Sequence, residues 1–235
     1  MFYDLHVHTS LSIGENSVEE MAGMAKQLGI DGLGVARYYN GTRMEELPKI
    51  KDFDIVNAVI LKPKDVEELD KLAKKVRNKV ELLLVHGSDY DINRAACENS
   101  MIDILCHPEL GRRDSGLDHI CVKAAQENNV AIEINFREVL ESYKRYRVHI
   151  LSNLKKNIKL CDKYEAPVVT NSGAITKWGL RSGRDLAAIT NILGLELGKA
   201  ISSVSTIPED MIKINREKLA EKRWEGVRIV GDKNG

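Results

Sequence analysis

The chain has 235 residues, with 35 Lys or Arg against 35 Asp or Glu, 43% hydrophobic residues and only 5% aromatic ones. That length is ordinary for one α/β barrel, and the composition excludes a disordered chain and leaves Leu, Ile and Val to supply most core volume. No stretch nears the roughly 18 apolar residues of a membrane span and no signal peptide opens the chain, so no membrane partner and a cytoplasmic location are expected.

The first predicted strand, 2–7, leads into Asp4, Leu5, His6, Val7, His8, Thr9 and Ser10. Side chains alternate faces along a strand, so His6 and His8 project the same way and can place two imidazoles on one cation. The other reading is a pair hydrogen-bonded inside a barrel mouth. Ser17 with Glu20 forms a capping box for the first helix. The second strand, 32–37, ends at Ala36, Arg37 and Tyr38. Strands at 54–61 and 80–86 are apolar runs of the kind buried on both faces of a parallel sheet. Pro63 and Asp65 open the helix between them, which ends near Arg77, and Asp91 is placed to cap the next.

A strand at 102–106 runs into His107, Pro108 and Glu109, making His107 the best third ligand and His86 the next. Gly116 and Asp118 open a helix to Asn129, followed by a strand at 130–135, a helix at 146–165, a strand at 167–171 and an eighth at 201–204. This alternation predicts a single-domain, TIM-like (β/α) barrel of seven to eight parallel strands over 1–222, with a polar tail at 223–235. A doubly wound open sheet gives much the same pattern. Cys97, Cys106, Cys121 and Cys161 lack any C-x-x-C spacing and read as buried thiols in a reducing compartment.

Charge is unevenly spread. From Tyr143 to Arg184 ten Lys or Arg stand against two acids, net +8, which leaves −8 elsewhere. Screening over about 8 Å makes this local field the one a phosphate meets. In the 146–165 helix Leu151, Leu154, Ile158 and Cys161 form the expected buried stripe, with Lys155, Lys156, Lys159 and Lys163 opposite. These lysines either solvate an outer face or meet phosphates. Arg112 and Arg113, in the loop 111–116, are a further candidate phosphate clamp. For Arg137 and Arg147 an ion pair with Glu133, Glu138 or Glu141 is the competing reading. His119 and His149 fall on helices and read as structural.

The opening DLHVHTS and the later ILCHPE together resemble the polymerase-and-histidinol-phosphatase (PHP) superfamily. The resemblance implies a distorted barrel that in active members holds a metal cluster for phosphoester hydrolysis. Such members usually carry Asp-His at the end of the strand after the first helix and Asp-x-His on a late strand. Here those places read Ala36, Arg37, Tyr38 and Thr170, Asn171, Ser172, Gly173. An arginine there is expected to repel metal, and asparagine is a far weaker ligand than aspartate. A two-metal mechanism also needs more carboxylates than these strand ends supply, so at most a single ion on His6, His8 and His107 is expected.

The second half narrows the match. Gly116 to His119, Val130 to Arg137, the helix near Arg147, and Thr170 to Ala174 followed by Trp178, Arg181, Arg184 and Asp185 resemble the thirty-kilodalton protein subunit family of ribonuclease P, which includes archaeal protein component 3. The resemblance implies a non-catalytic subunit that binds ribonuclease P RNA and other protein subunits, especially protein component 2, while the RNA, with Mg2+, removes 5′ leaders from precursor tRNA. This chain would then require no cofactor of its own. The residues themselves suit phosphate contacts. Lys177, Arg181, Arg184, Arg137, Arg147, Arg112, Arg113, Lys155 and Lys159 are the RNA-binding candidates, with Arg181 and Arg184 i,i+3 on a helix start. Trp178 either stacks on a base or packs. The alternative function is an active PHP-type phosphoesterase or nuclease using His6, His8 and His107, and a protein-interaction barrel that touches no RNA is a third.

Overall fold

Seven parallel strands occupy the seven predicted apolar runs: β1 Tyr3–Val7, β2 Gly32–Tyr38, β3 Asp54–Leu61, β4 Leu82–His86, β5 Ile104–Cys106, β6 Ala131–Asn135 and β7 Val168–Asn171. The computed structural model describes residues 1–42 and 45–220, and the backbone alone of 223–224 and 227–228. The strands pair in chain order from β1 to β7 and curl into a nearly closed TIM-like barrel. Helices cover its outside: α1 Val18–Gln27, α2 Val66–Val76, α3 Tyr90–Cys97, α4 His119–Asn128, α5 Phe136–Glu141 and α6 Lys144–Tyr164. α7 Gly183–Ile192, α8 Leu197–Ser202 and α9 Thr206–Leu219 complete the set. None is long and apolar enough to cross a membrane.

Alternation sets the two core layers. Ala58, Ile60, Leu82, Leu84, Ile104 and Val169 fill the barrel, while Val59, Leu61, Leu83, Val85, Leu105 and Ile132 pack beneath the helices. One irregularity breaks this parity. β1 pairs Asp4 with Leu33 but Val7 with Val35, so β1 carries one extra residue there. The bulge lets Tyr3 and Leu5 join the inner core and then turns His6 and His8 inward as well. Gly34 lies opposite the bulge, where a Cβ would stand 2.4 Å from the Leu5 carbonyl oxygen.

The floor of the barrel is latched by α9. Ile212 enters the inner core, Asn215 donates to Asp103 Oδ1 at 2.8 Å, and Arg216 pairs with Asp54 at 2.7 Å and Glu81 at 2.5 Å. The other Asp103 oxygen accepts from Leu83 N and pairs with Arg77.

Several expectations need correcting. Residues 201–204 form no eighth strand, because Ser203 and Ser205 hydroxyls donate back to Ala200 O and Ile201 O and keep the chain in helical turns. The carbonyls of Ser203 and Val204 instead accept from Thr170 N and Tyr3 N, filling part of the gap between β7 and β1. Asp89, not Asp91, caps α3, its carboxylate accepting from Asp91 N and Ile92 N. In α6 Leu151 is only half-buried, and two asparagines, Asn153 and Asn157, complete the buried stripe. Within the expected 223–235 tail, β8 Arg223–Trp224 and β9 Val227–Arg228 pair antiparallel, and the remaining tail residues lie outside the described ones.

The bulge generates a test. Gly34→Ala should lower the unfolding free energy by about 1–3 kcal/mol, because the added methyl meets backbone rather than a movable side chain. Urea denaturation of the two proteins measures it, and equal midpoints would show that β1 relaxes freely.

Candidate functional site at the barrel mouth

The strand ends at the C-terminal side of the barrel bring four histidines together. His6 Nε2 lies 3.1 Å from His8 Nε2, the His6 and His107 ring centroids are 5.8 Å apart, and those of His86 and His107 are 4.5 Å apart. Tyr38 stacks on His8 with ring planes 11° apart, and its hydroxyl lies 3.2 Å from His86 Nδ1. His6, His8 and His107 are fully buried.

Hydrogen bonds fix the proton positions in this network. His8 Nδ1 faces the Ala36 carbonyl at 3.1 Å, which only accepts, so Nδ1 carries the proton and Nε2 is left as an acceptor. Burial, with His6 close by, pushes the His8 pKa down to about 3 and keeps the ring neutral. His6 Nδ1 faces Glu133 Oε1 at 2.7 Å, and His6 Nε2 faces the His8 ring. His6 and Glu133 form a fully buried pair. Burial alone would raise the Glu133 pKa, but the charge and bond of His6, the field of His107 and the Asn171 amide hold it well below the usual carboxylate range. Asn171 donates to Glu133 Oε1 at 2.8 Å and Asn135 to Oε2 at 3.2 Å. Removing His6 would leave the buried Glu133 carboxylate without its nearest partner, a loss of about 3–5 kcal/mol.

Two side chains stand outside this satisfied network. His107, at φ +33°, is fully buried with neither ring nitrogen hydrogen-bonded, and burial holds its pKa well below the usual value. Glu109 is likewise buried with both oxygens unpartnered, and burial pushes its pKa up to about 8. Their loop is nonetheless rigidly held. Asn93 donates to the carbonyls of Pro108 and Gly116, Asn153 to Asp114 O and Asn157 to Ser115 O, so the buried loop backbone is satisfied from α3 and α6. Gly116 adopts φ +72° with its Cβ position 2.0 Å from Pro108 O, a place for glycine alone.

Among the described residues, His6, His107 and Glu133 have ligand atoms close enough to share a metal ion. Glu133 escaped the sequence reading as a site residue. Its signal was a lone carboxylate within the apolar strand Ala131–Asn135, at an inward position. His8 bonds His6 but stands outside that group, and His86 is half-exposed at its edge. The donor set fits one ion, since His107 offers two unpartnered neutral nitrogens. A single carboxylate, already accepting three hydrogen bonds, is too little anionic charge for two divalent ions.

Arg37 does not repel metal, contrary to expectation. It sits on the outer face of β2, between inward-facing Ala36 and Tyr38, and donates to Asn57 Oδ1 and Glu45 O, both at 2.7 Å. Asn171 is engaged differently too: its Oδ1 accepts from Leu5 N at 2.8 Å.

The basic candidates divide into free and engaged groups. Arg113, Lys155, Lys156, Lys159 and Arg184 are exposed. Arg112 is tied to Asp114 at 2.6 Å and to Ser88 O, and His149 Nε2 donates to the Arg112 carbonyl at 3.1 Å, so this loop is clasped by its own side chains. Arg147 donates to the carbonyls of Ser142 and Leu140 rather than to an acid. Arg137 lies at the mouth, where its charge acts on His8 and Glu138. Arg181 and Arg184 are not i,i+3 on one helix, because Ser182 caps α7 and leaves Arg181 before it. Lys177 pairs with Glu20 at 3.3 Å, and Trp178 projects into solvent instead of packing.

Glu109 gives a pH test. Its folded pKa is raised, so its contribution is most favourable below the unfolded value near 4.5 and is lost as pH rises toward 8. Glu109→Gln should therefore gain about 2–4 kcal/mol relative to the parent between pH 5 and pH 8. Urea unfolding at the two pH values measures this, and a pH-independent difference would show a solvated carboxylate.

Comparison with known proteins places this geometry. Residues 1–220 match the family described as RNase P subunit p30. Ribonuclease P protein component 3 of Methanococcoides burtonii is 39% identical over 97% of this chain and 93% of its own length. The protein of that name from Methanosarcina mazei is 36% identical over 97% and 95%. In three dimensions the chain is similar to one in the cryo-EM structure of archaeal ribonuclease P with mature tRNA, at TM-score 0.76 and 26% identity over 98% of this chain and 99% of that one. Histidinol phosphate phosphatase of Lactococcus lactis shares the fold, at TM-score 0.55 and 9% identity over 83% of this chain and 94% of its own. By sequence and by fold, the chain belongs to the RNase P subunit p30 family.

Proposed function

We propose that this chain is a non-catalytic protein subunit of ribonuclease P, binding the catalytic RNA and other protein subunits, protein component 2 among them, to support removal of 5′ leaders from precursor tRNA in the cytoplasm. The observation that carries this reading is the likeness, over nearly the whole of both chains, to a chain of archaeal ribonuclease P solved with mature tRNA. The site agrees in its chemistry. The Glu133 carboxylate is bound up in hydrogen bonds, and His6, His8 and His107 are fully buried rather than open to a phosphodiester. The exposed Lys155, Lys159, Arg113 and Arg184, with Lys177, Arg181, Arg137, Arg147 and Arg112, supply the cations for RNA phosphates. Mg2+ serves the RNA.

A single divalent ion at the mouth is part of the proposal, held by His6 and His107 with Glu133 or His8 beside them. Bound there it would supply positive charge and rigidity, and the unpartnered nitrogens of His107 support it. The chain needs no such ion to assist the RNA.

Reconstitution on precursor tRNA tests the main reading. Adding this protein to the RNA and remaining subunits should raise the cleavage rate, and Lys155→Ala with Lys159→Ala should weaken RNA binding about three- to tenfold while flattening its salt dependence. Cleavage indifferent to the protein would refute the assignment. For the ion, titration of purified protein with Zn2+ should saturate at one per chain with no phosphoester turnover. Turnover abolished by His6→Ala would instead favour an active phosphoesterase.

A further inference from the structure

The 3-10 turn Lys177–Gly179 displays an indole that the fold does not bury. Trp178 is 71% exposed, yet its backbone is pinned on both sides. Lys177 N donates to Asn16 Oδ1 at 2.9 Å, Gly179 N to Thr176 O at 2.9 Å, and Arg181 Nη1 to the carbonyls of Trp178 at 2.9 Å and Leu180 at 2.7 Å. A large apolar ring held out on a fixed frame gains nothing from folding and loses no backbone freedom on binding.

Its neighbours are cations. Lys177 Nζ lies 5.4 Å from the indole centroid, Arg181 lies over the Phe136 ring at 5.3 Å, and Arg184 is exposed in the first turn of α7. Two of the nearby acids are engaged, Glu20 by Lys177 at 3.3 Å and Asp185 by the Ser182 hydroxyl at 2.7 Å. A ring with Lys177 over it, Arg181 bonded to its carbonyl and Arg184 six residues on in the chain suits a ligand with an aromatic face and an anion on either side. A duplex hides its base faces in the stack, whereas an unpaired nucleotide offers one face with a phosphate to each side. An apolar protein surface would have to desolvate the cations without neutralising them.

We propose that Trp178 stacks on an unpaired base of the bound RNA, with Lys177, Arg181 and Arg184 reaching the flanking phosphates. The proposal rests on the RNA-subunit reading and adds a recognition element that is aromatic rather than electrostatic. The chain has two tryptophans, so Trp224→Phe leaves Trp178 as the sole indole reporter. In that background, titration with ribonuclease P RNA should quench the emission. Trp178→Leu should weaken binding about five- to thirtyfold with an unchanged salt slope, and Trp178→Phe should recover most of the loss. Unquenched emission, or full affinity in the leucine variant while Lys155→Ala with Lys159→Ala still weakens binding, would overturn stacking and leave the subunit reading intact. Weakened assembly with the protein subunits in the absence of RNA would overturn it in favour of a protein occupant. No RNA binding by any form would overturn both readings.

Discussion

Between β7 and β1 the barrel is closed by side chains and loop carbonyls instead of a backbone ladder. Asn171 accepts from Leu5 N, and the Asp4 carboxylate accepts from Ser172 N at 3.2 Å through both oxygens. Val204 O and Ser203 O complete the seam lower down. Burial raises the Asp4 pKa to about 6, offset in part by those amide bonds. The same Asn171 that ties β1 across the seam donates to Glu133, which holds His6, which holds His8. Closure of the fold and order in the mouth are one continuous hydrogen-bond chain.

That continuity makes the mouth part of the framework of the barrel. Groups that could ligate metal ions are here tied into the architecture, and Glu133 answers two amides and the His6 ring. The outer surface carries most of the cations that a polyanion would meet, with Arg137 at the mouth.

Much of this was legible in the sequence because parallel strands and capped helices leave strong local marks. The seven apolar runs appear within two residues of their places, and the Ser17 and Glu20 capping box forms as read. His6 and His8 share a face because alternation holds beyond the bulge. The inward face of β2 was not legible, since Gly32–Tyr38 is small or apolar on both faces and carries no period-two signal. Arg37 was therefore assigned to the wrong side. The role of Asn171 was hidden for another reason: it depends on a partner 166 residues away. Residues 201–204 turn helically because the Ser203 hydroxyl bonds back to Ala200 O, an interaction that strand and helix propensity do not register.

The latch on the barrel floor also sets an order of events during synthesis. Strand β1 is made first, but its seam partner β7 and the helix α9 that braces β3, β4 and β5 come last. A nascent chain short of Val204 therefore holds an incompletely closed seam at β1, and the α9 latch follows only when almost the whole domain has left the ribosome.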